Sequence, residues 1–430
     1  MYQSPFSLYH IHTFYNSYSK SVNKKSYLLI LRLLWALIFN FTFFIAAQSQ
    51  DTLPKKNFLL PVIEIQGNKS KTNQIERMNE TEGAYIYAAK KNEVIQMEGI
   101  NADLTTNNTR QVFAKVPGIS IWENDGSGLQ IGIGARGLNP NRSWEFNTRQ
   151  NGYDISSEVF GYPEAYYAPP MEALSKIEIV RGASSLQFGP QFGGMVNYVT
   201  RRYLGSGPLH IQSQQTLGSY GLFNSFNAVG GKTQKFLYYA YLQHRSADGW
   251  RENSEYKTFN GHVNFTWLVN SKMNIGFEFS RLNMVSQQPG GLTDAQFRAN
   301  ARQSSRARNW FNTPTNIAAL TYSYSITSNQ ILDVKLFGFL GERNSVGFVS
   351  ALTQADIVDT AINQYRNRQV DRNFYENIGF EARYLNKFKI GSFDNALATG
   401  VRYYAGNTIR KQLGRGNASF DFDLSLTNPV

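Results

Sequence analysis

From about Pro208 the chain alternates apolar and polar residues with a period of two, almost to its end. Phe259, Gly261, Val263, Phe265, Trp267 and Val269 fall on one face of a strand, and Asn260, His262, Asn264 and Thr266 on the other. Met273, Ile275, Phe277 and Phe279 likewise oppose Asn274, Gly276, Glu278 and Ser280. Ala318, Leu320, Tyr322, Tyr324 and Ile326 oppose Ala319, Thr321, Ser323 and Ser325. Ile378, Phe380, Ala382 and Tyr384 oppose Asn377, Gly379, Glu381 and Arg383. Successive side chains of a strand point to opposite faces, so each run reads as a two-faced strand. The runs are about 10–15 residues long, against about 5–6 for a globular strand. One apolar and one polar face suit hydrocarbon outside and a wet lumen inside. A soluble sandwich alternates in the same way, but with shorter strands.

The connections alternate too. Lys232–Gln234, Asn270–Lys272, Thr327–Asn329 and Lys389–Phe393 are short, whereas Ser246–Tyr256, Ser286–Pro314 and Gly347–Arg372 are long. Outer-membrane barrels turn tightly on one side and loop widely on the other. Only Gly218–Gly221 is short where this scheme expects a long loop. About nine strands fit between Pro208 and Arg410, whereas a barrel with a plugged lumen has about 22. The expected fold is therefore mainly β. An α+β domain precedes the first strands (about nine) of an incomplete transmembrane β-barrel, in the N-terminal part of a longer chain.

Upstream, residues 1–49 read as a secretory signal. Lys20, Lys24, Lys25 and Arg32 form a basic region before the apolar stretch Leu33–Ala47, and Ala47-Gln48-Ser49 offers small residues for cleavage. The apolar stretch is short for a spanning helix; an uncleaved anchor is the alternative. Residues 50–82 are polar apart from one apolar patch, the composition of a flexible tether. Residues 83–203 read as a domain. Asn107–Val116 predicts a helix ended by Pro117, and Ile119–Trp122, Leu129–Ile133, Phe146–Ile155, Ile177–Val180 and Met195–Thr200 predict strands. Residues 204–430 form the partial barrel.

Composition narrows the function. The net charge of +12 could suggest nucleic acid, but the bases are scattered and no binding motif accompanies them. Aromatics make up 14% of the chain, which suits the girdles of a membrane barrel. Cysteine is absent and the five histidines have no metal-ligand spacing, so no metal site is expected. Gly132-Ile133-Gly134-Ala135-Arg136-Gly137 matches G-x-G-x-x-G, but the turn Leu138-Asn139-Pro140-Asn141 follows instead of a helix. A tight, Gly-rich strand is the better reading. Ser184 and Ser185 lack a G-x-S-x-G setting, and no phosphate-binding loop of the Walker kind is present. No catalytic residue, cofactor or enzyme activity is expected.

Three stretches carry a family resemblance. They are Glu178-Ile179-Val180-Arg181-Gly182, Phe188-Gly189-Pro190 and Gly193-Gly194-Met195-Val196-Asn197-Tyr198-Val199-Thr200, with Arg136-Gly137-Leu138 upstream. Together they resemble the plug domain of TonB-dependent outer-membrane receptors, with Arg136, Gly137, Arg181, Gly182, Gly193, Gly194 and Asn197 as the plug-motif residues. Within that family, ARGLNPNRSW, RQNGYDI and FGYPEAYY resemble receptors of the ferric dicitrate type.

The resemblance implies a Gram-negative outer-membrane location and TonB-driven uptake of a ferric chelate, with TonB, the chelate and lipid as partners. It places a TonB box at Leu60, Pro61, Val62, Ile63, Glu64, Ile65 and Gln66, although an ordinary first plug strand fits there too. Ligand-binding loops of the plug apex would carry Arg142, Trp144, Phe160, Tyr162, Tyr166 and Tyr167, unless these aromatics merely pack on the barrel. Arg298, Arg302, Arg306 and Arg308, with Arg366, Arg368 and Arg372 in the next loop, would meet an anionic chelate or anionic lipopolysaccharide. A cobalamin or glycan receptor, or a non-transporting adhesion protein, are the alternatives.

Overall fold

The structure, a computed structural model, describes residues 75–88, 92–123, 126–157, 167–189 and 191–427. The signal stretch, the Leu60–Gln66 segment, Phe160, Tyr162 and Tyr166 lie outside the described residues.

Among the described residues the N-terminal domain carries ten short strands: β1 (Ile75–Arg77), β2 (Thr81–Glu82), β3 (Tyr85–Ile86), β4 (Glu93–Gln96), β5 (Ile119–Glu123), β6 (Ile131–Ala135), β7 (Phe146–Gln150), β8 (Tyr153–Asp154), β9 (Leu174–Val180) and β10 (Gly194–Thr200). Six form a mixed sheet in the order β1-β4-β9-β10-β7-β8, in which β10 and β7 run parallel. β1 joins this sheet from residues whose composition reads as tether. The predicted helix is present as the shorter α1 (Thr109–Phe113), capped by the Asn108 side chain.

Phe146–Ile155 is not one strand. It folds back as a hairpin of β7 and β8 around Asn151 (φ 47°) and Gly152 (φ 81°). Asn-Gly is the strongest two-residue hairpin signal, because both positions require positive φ. In β6, a Cβ on Gly132 or Gly134 would meet the Pro140 and Leu138 carbonyl oxygens. These glycines let the following turn lie against the strand, which accounts for the G-x-G spacing without any cofactor.

The second part is one antiparallel sheet, referred to below as the wall. Its strands are β11 (His210–Leu217), β12 (Phe223–Lys232), β13 (Phe236–Ala247), β14 (Tyr256–Leu268), β15 (Met273–Gln287), β16 (Trp310–Asn312), β17 (Thr315–Ser325), β18 (Gln330–Gly347), β19 (Gln369–Ile390) and β20 (Phe393–Arg415). Neighbours pair in chain order; β16 and β17 are two segments of one interrupted strand between β15 and β18. A short helix, α2 (Asp294–Ala299), sits in the long β15–β16 connection behind a Thr293–Gln296 capping box.

Register makes the two faces explicit. Tyr238, Phe265, Phe277, Leu320, Leu336, Phe380 and Tyr403 are directly cross-paired from β13 to β20. They form a continuous apolar row on the face turned away from the N-terminal domain, as a lipid-facing surface requires. One residue along, Tyr239, Asn264, Glu278, Ala319, Phe337, Gly379 and Tyr404 form the opposite row. The polar face is not simply wet. Asn260, His262, Asn264, Glu278 and Ser280 are buried, because the N-terminal domain lies against them. One hydrophobic cluster joins Ile95, Val112, Phe146, Ile177 and Val196 of that domain to Leu282, Ile317, Phe337 and Tyr375 of the wall. No helix among the described residues is long and apolar enough to cross a membrane, which says nothing of spanning strands.

Candidate functional site

The candidate site is the seam between the plug-like domain and the wall. At its centre, Arg149 of β7 is fully buried and meets Glu381 of β19 in a fork. Its Nη2 donates to Oε1 at 2.8 Å and its Nη1 to Oε2 at 3.1 Å. Nη1 also donates to the Gly152 carbonyl at 2.7 Å, and Nε to Asn147 Oδ1 at 2.6 Å. Burial alone would lower the Arg149 pKa; the Glu381 carboxylate outweighs it and holds the pKa above the usual arginine range. Two wall arginines close the cluster. Arg402 bridges Asp154 of β8 at 2.7 Å and Glu381 at 3.3 Å, and Arg383 lies 3.5 Å from Glu381. Arg402 and Arg383 also donate to the Phe188 and Gln187 carbonyls, so both halves share one network. A paired, hydrogen-bonded ion is the form in which charge is tolerated inside a protein.

Further polar contacts cross the seam. Asn151 Nδ2 and Tyr153 Oη donate to Glu278 Oε2 at 2.6 and 3.0 Å. Asn224 donates to Glu172 at 3.1 Å, and Asn377 to the Ser157 carbonyl at 2.7 Å. Burial raises the Glu172 pKa, and Arg245 and Asn224 offset part of that rise. Near the short turns, Asp333 accepts from the Ala84 amide at 2.8 Å and Lys335 Nζ lies 3.1 Å from Tyr85 Oη. They flank a polar cavity of about 290 Å3.

The plug-motif residues brace the domain itself. Arg181 is buried, donates to the Pro117 carbonyl at 2.8 Å and pairs with Glu93. Asn197 accepts from the Gly152 amide at 2.8 Å and donates to Glu178 at 2.7 Å. The Gly193 amide donates to the Glu145 carbonyl at 2.7 Å, and a Cβ on Gly194 would strike the Val180 carbonyl. Arg136 and Gly137 form an exposed turn with φ of 55° and 78°, and Gly182 stands beside the Arg136 guanidinium.

The ligand candidates separate. Trp144 is half exposed, at 47%. Tyr167 is buried and donates to Gln150 at 2.7 Å. The backbone at Arg142 lies in a single turn of 3-10 helix, Asn141–Ser143. Arg298 is exposed and lies 3.9 Å from Asp294 in α2, and Arg302 donates to the Trp250 carbonyl at 2.9 Å.

Arg306 and Arg308 are buried, and their donors are spent within the loops. Arg306 donates to the Ser350, Ala351 and Gln354 carbonyls. Arg308 forks onto Asp356 at 2.8 and 2.6 Å, donates to the Arg366 and Ala418 carbonyls, and stacks 4.5 Å from the Tyr365 ring centre. Arg368 donates to the Arg308 and Asp421 carbonyls. Arg366 pairs with Asp359 and Arg372 with Glu342. These groups join residues 288–309, 348–368 and 416–427.

At that same end, a cavity of about 300 Å3 is lined by Glu123, Gly126 and Ser127 of the plug-like domain, by Trp250, Arg251, Ser254 and Tyr256, and by the top of β15. Neither Arg149 nor Arg251 stands out in the sequence.

The fold and seam define the class: a plug domain seated against the wall of a transmembrane β-barrel. Residues 88–196 match the family model described as TonB-dependent Receptor Plug Domain, so this part of the chain is a plug domain of that kind. Solved structures agree on the fold. The chain is similar to the unliganded ferric citrate transporter FecA, at 23% identity and a TM-score of 0.61 over 75% of this chain and 48% of that one. It is similar to the ferripyoverdine receptor of the Pseudomonas aeruginosa outer membrane, at 14% identity and a TM-score of 0.60 over 82% of this chain and 46% of that one. The copper transporter OprC is similar at 13% identity and a TM-score of 0.56, over 80% of this chain and 50% of that one. The chain thus spans about half the length of the solved proteins it matches.

Proposed function

We propose that the protein takes up an anionic ferric chelate across the outer membrane of a Gram-negative bacterium, energised by TonB. The observation that carries this reading is a plug domain held in a lipid-facing wall by buried ion pairs that span both parts. Such a plug blocks a pore until work is done on it. The chelate would bind beside Arg142, Trp144, Phe160, Tyr162 and Tyr166 at the plug apex, under the outer loops. Leu60–Gln66 would then add as a strand to an edge of TonB, where main-chain hydrogen bonds supply the grip. Pulling on it would disturb the seam. No bond in the cargo changes, so the process is transport and not catalysis. The proposed domain division is signal, tether with box, plug, and barrel from about residue 204, with the plug reaching back to β1 at Ile75–Arg77 instead of starting at residue 83.

The experiment is uptake of ferric citrate and of siderophore-bound iron by cells with and without TonB, using wild-type receptor and Ile63→Pro. Proline removes a backbone N–H and restrains the residue before it, so an added strand loses part of its ladder. TonB-dependent uptake that Ile63→Pro abolishes while chelate binding survives is expected. Equal uptake without TonB would overturn the reading.

A further inference from the structure

In β11 and β12 the even-numbered residues face the plug. Gln214 donates to Thr105 Oγ1 at 3.4 Å, Asn224 donates to Glu172 at 3.1 Å, and Phe226 and Ala228 cluster with Ala173. The odd-numbered residues therefore share the lipid-facing side with the apolar row. Read upward from the short turns, the cross-strand pairs on that side are Ile211 with Val229, Ser213 with Asn227, Gln215 with Ser225, and Leu217 with Phe223. Polar pairs are thus enclosed above and below by apolar ones. Ile211 is 75% and Leu217 81% exposed, so both are lipid-facing in fact. On the β13 side, Asn227 pairs with the exposed Leu242 and Ser225 with His244, which is followed by Phe259 of β14. Ser213, Gln215, Ser225 and Asn227 form a polar island within the apolar band.

The island is hydrogen-bonded internally. Ser213 Oγ donates to Asn227 Oδ1 at 2.7 Å and Asn227 Nδ2 to Ser225 Oγ at 2.9 Å. Gln215 Nε2 donates to Ser213 Oγ at 3.1 Å and lies 3.2 Å from Asn227 Oδ1. Among the described residues Gln215 Oε1 accepts no hydrogen bond and the Ser225 hydroxyl donates none. A side-chain amide nitrogen carries two hydrogens, so Asn227 keeps one for a further partner. Hydrocarbon offers such groups nothing, and polar side chains at membrane depth face protein or a water-filled cavity. The lumen lies on the other side of the wall. The island also carries no formal charge, so an anionic head group gains nothing there. Another protein surface is the partner that suits it.

We infer that this island is a contact between two copies of the chain within the membrane. Copies inserted in one membrane share one orientation, so a two-fold axis relating them runs along the membrane normal. A patch on such an axis meets itself and must be complementary to itself. It does so at equal depth, with left and right exchanged. An axis between β11 and β12 sets Gln215 against the partner's Ser225, and Asn227 against the partner's Ser213. The unmet Gln215 carbonyl then accepts from the unmet hydroxyl, and the spare Asn227 hydrogen reaches a hydroxyl oxygen, each reciprocally. Serine and amide side chains join membrane-embedded segments through bonds of this kind. Convex barrel walls touch along a narrow stripe, which suits an island confined to β11 and β12. The inference needs the lipid-facing wall, but neither the cargo nor TonB.

The test is thiol cross-linking in outer membranes of cells that make the full-length receptor. The chain has no cysteine, so each introduced thiol stands alone. Ile211→Cys and Leu217→Cys flank the island and leave it intact. Leu320→Cys, at a position 48% exposed on the lipid-facing side of β17, is the control. We expect a short bismaleimide to turn the first two variants into a product with the mass of two copies, several-fold more than with Leu320→Cys. Adding Gln215→Leu and Asn227→Leu should cut that product about tenfold, because the reciprocal bonds are individually weak but are lost together. Heat-modifiable gel mobility should show both kinds of receptor folded. Equal product from Leu320→Cys, undiminished product with the leucine pair, a product of another mass, or no product would each overturn the contact. If the leucine pair does not fold, the comparison of Ile211→Cys and Leu217→Cys with Leu320→Cys decides alone.

Discussion

Arg149 and Arg251 are both arginines set into the seam between plug and wall, and they are satisfied in opposite ways. Burial pulls both guanidinium pKa values down. At Arg149 the Glu381 carboxylate outweighs that pull and raises the pKa, whereas at Arg251 nothing opposes it and the pKa stays lowered. Arg149 spends its donors on Glu381, Asn147, Gly152 and Phe188. Arg251 has two carbonyls and an unmet Nε beside a cavity. The centre of the seam is thus closed by buried ion pairs, whereas at its loop end Arg251 donates to neutral carbonyls and forms no salt bridge among the described residues.

The comparison breaks most directly if Arg149 is made to resemble Arg251. Glu381→Ala leaves three arginines around a vacant position, and loss of one partner of a buried pair costs about 3–5 kcal/mol. The expected outcome is a receptor whose plug is released at markedly lower urea, followed by protease cleavage of plug residues in outer-membrane preparations. The paired replacement Arg149→Met with Glu381→Met should recover part of the loss, because no charge is then stranded. Equal urea resistance of wild type and Glu381→Ala would remove the central ion pair from the account.

A smaller effect sharpens the comparison from the acidic side. Glu172 is a buried carboxylate fed by Asn224 and Gln243, and burial raises its pKa. A raised pKa means that the folded state binds the proton more tightly than the unfolded state. Its stabilising contribution is present in full below the unfolded value of 4.5 and is lost as pH rises through the raised folded value. Glu172→Gln keeps an acceptor and cannot ionise. The variant should therefore melt slightly above wild type at neutral pH, and the gap should close as pH falls toward 4.5. Melting curves at several pH values check this; a gap that widens on acidification would show that Glu172 is held as a favourable anion.

Much of the wall was legible in the sequence. Period two exposes both faces of β14, β15, β17 and β19, and the alternation of short turns and long connections follows from chain spacing. Plug strands β5, β6, β9 and β10 lie where apolar runs and turn residues put them. The hairpin at Asn151-Gly152 was readable but was obscured by the long apolar-polar run across it. The seam was not legible. Arg149 and Glu381 are 232 residues apart, and only the docked plug and the register of the wall bring them together. Arg306 and Arg308 carry the same sequence signal as a ligand clamp, since an arginine-rich loop looks alike whether its donors face solvent or neighbouring carbonyls. Arg251 is a single base flanked by Trp250 and Glu252, a pattern typical of a solvated loop.

The account turns on the plug having to move relative to the wall for cargo to pass. The chain has no cysteine, so a pair introduced at Ala84 and Asp333, where the amide of one meets the carboxylate of the other at 2.8 Å, can be read without background. The direct measurement is uptake of radiolabelled ferric chelate by cells carrying Ala84→Cys with Asp333→Cys, oxidised and then reduced, with cross-linking scored by gel mobility. The account predicts that the oxidised receptor binds chelate but takes up none, and that reduction restores uptake. Undiminished uptake through a fully cross-linked receptor would contradict it.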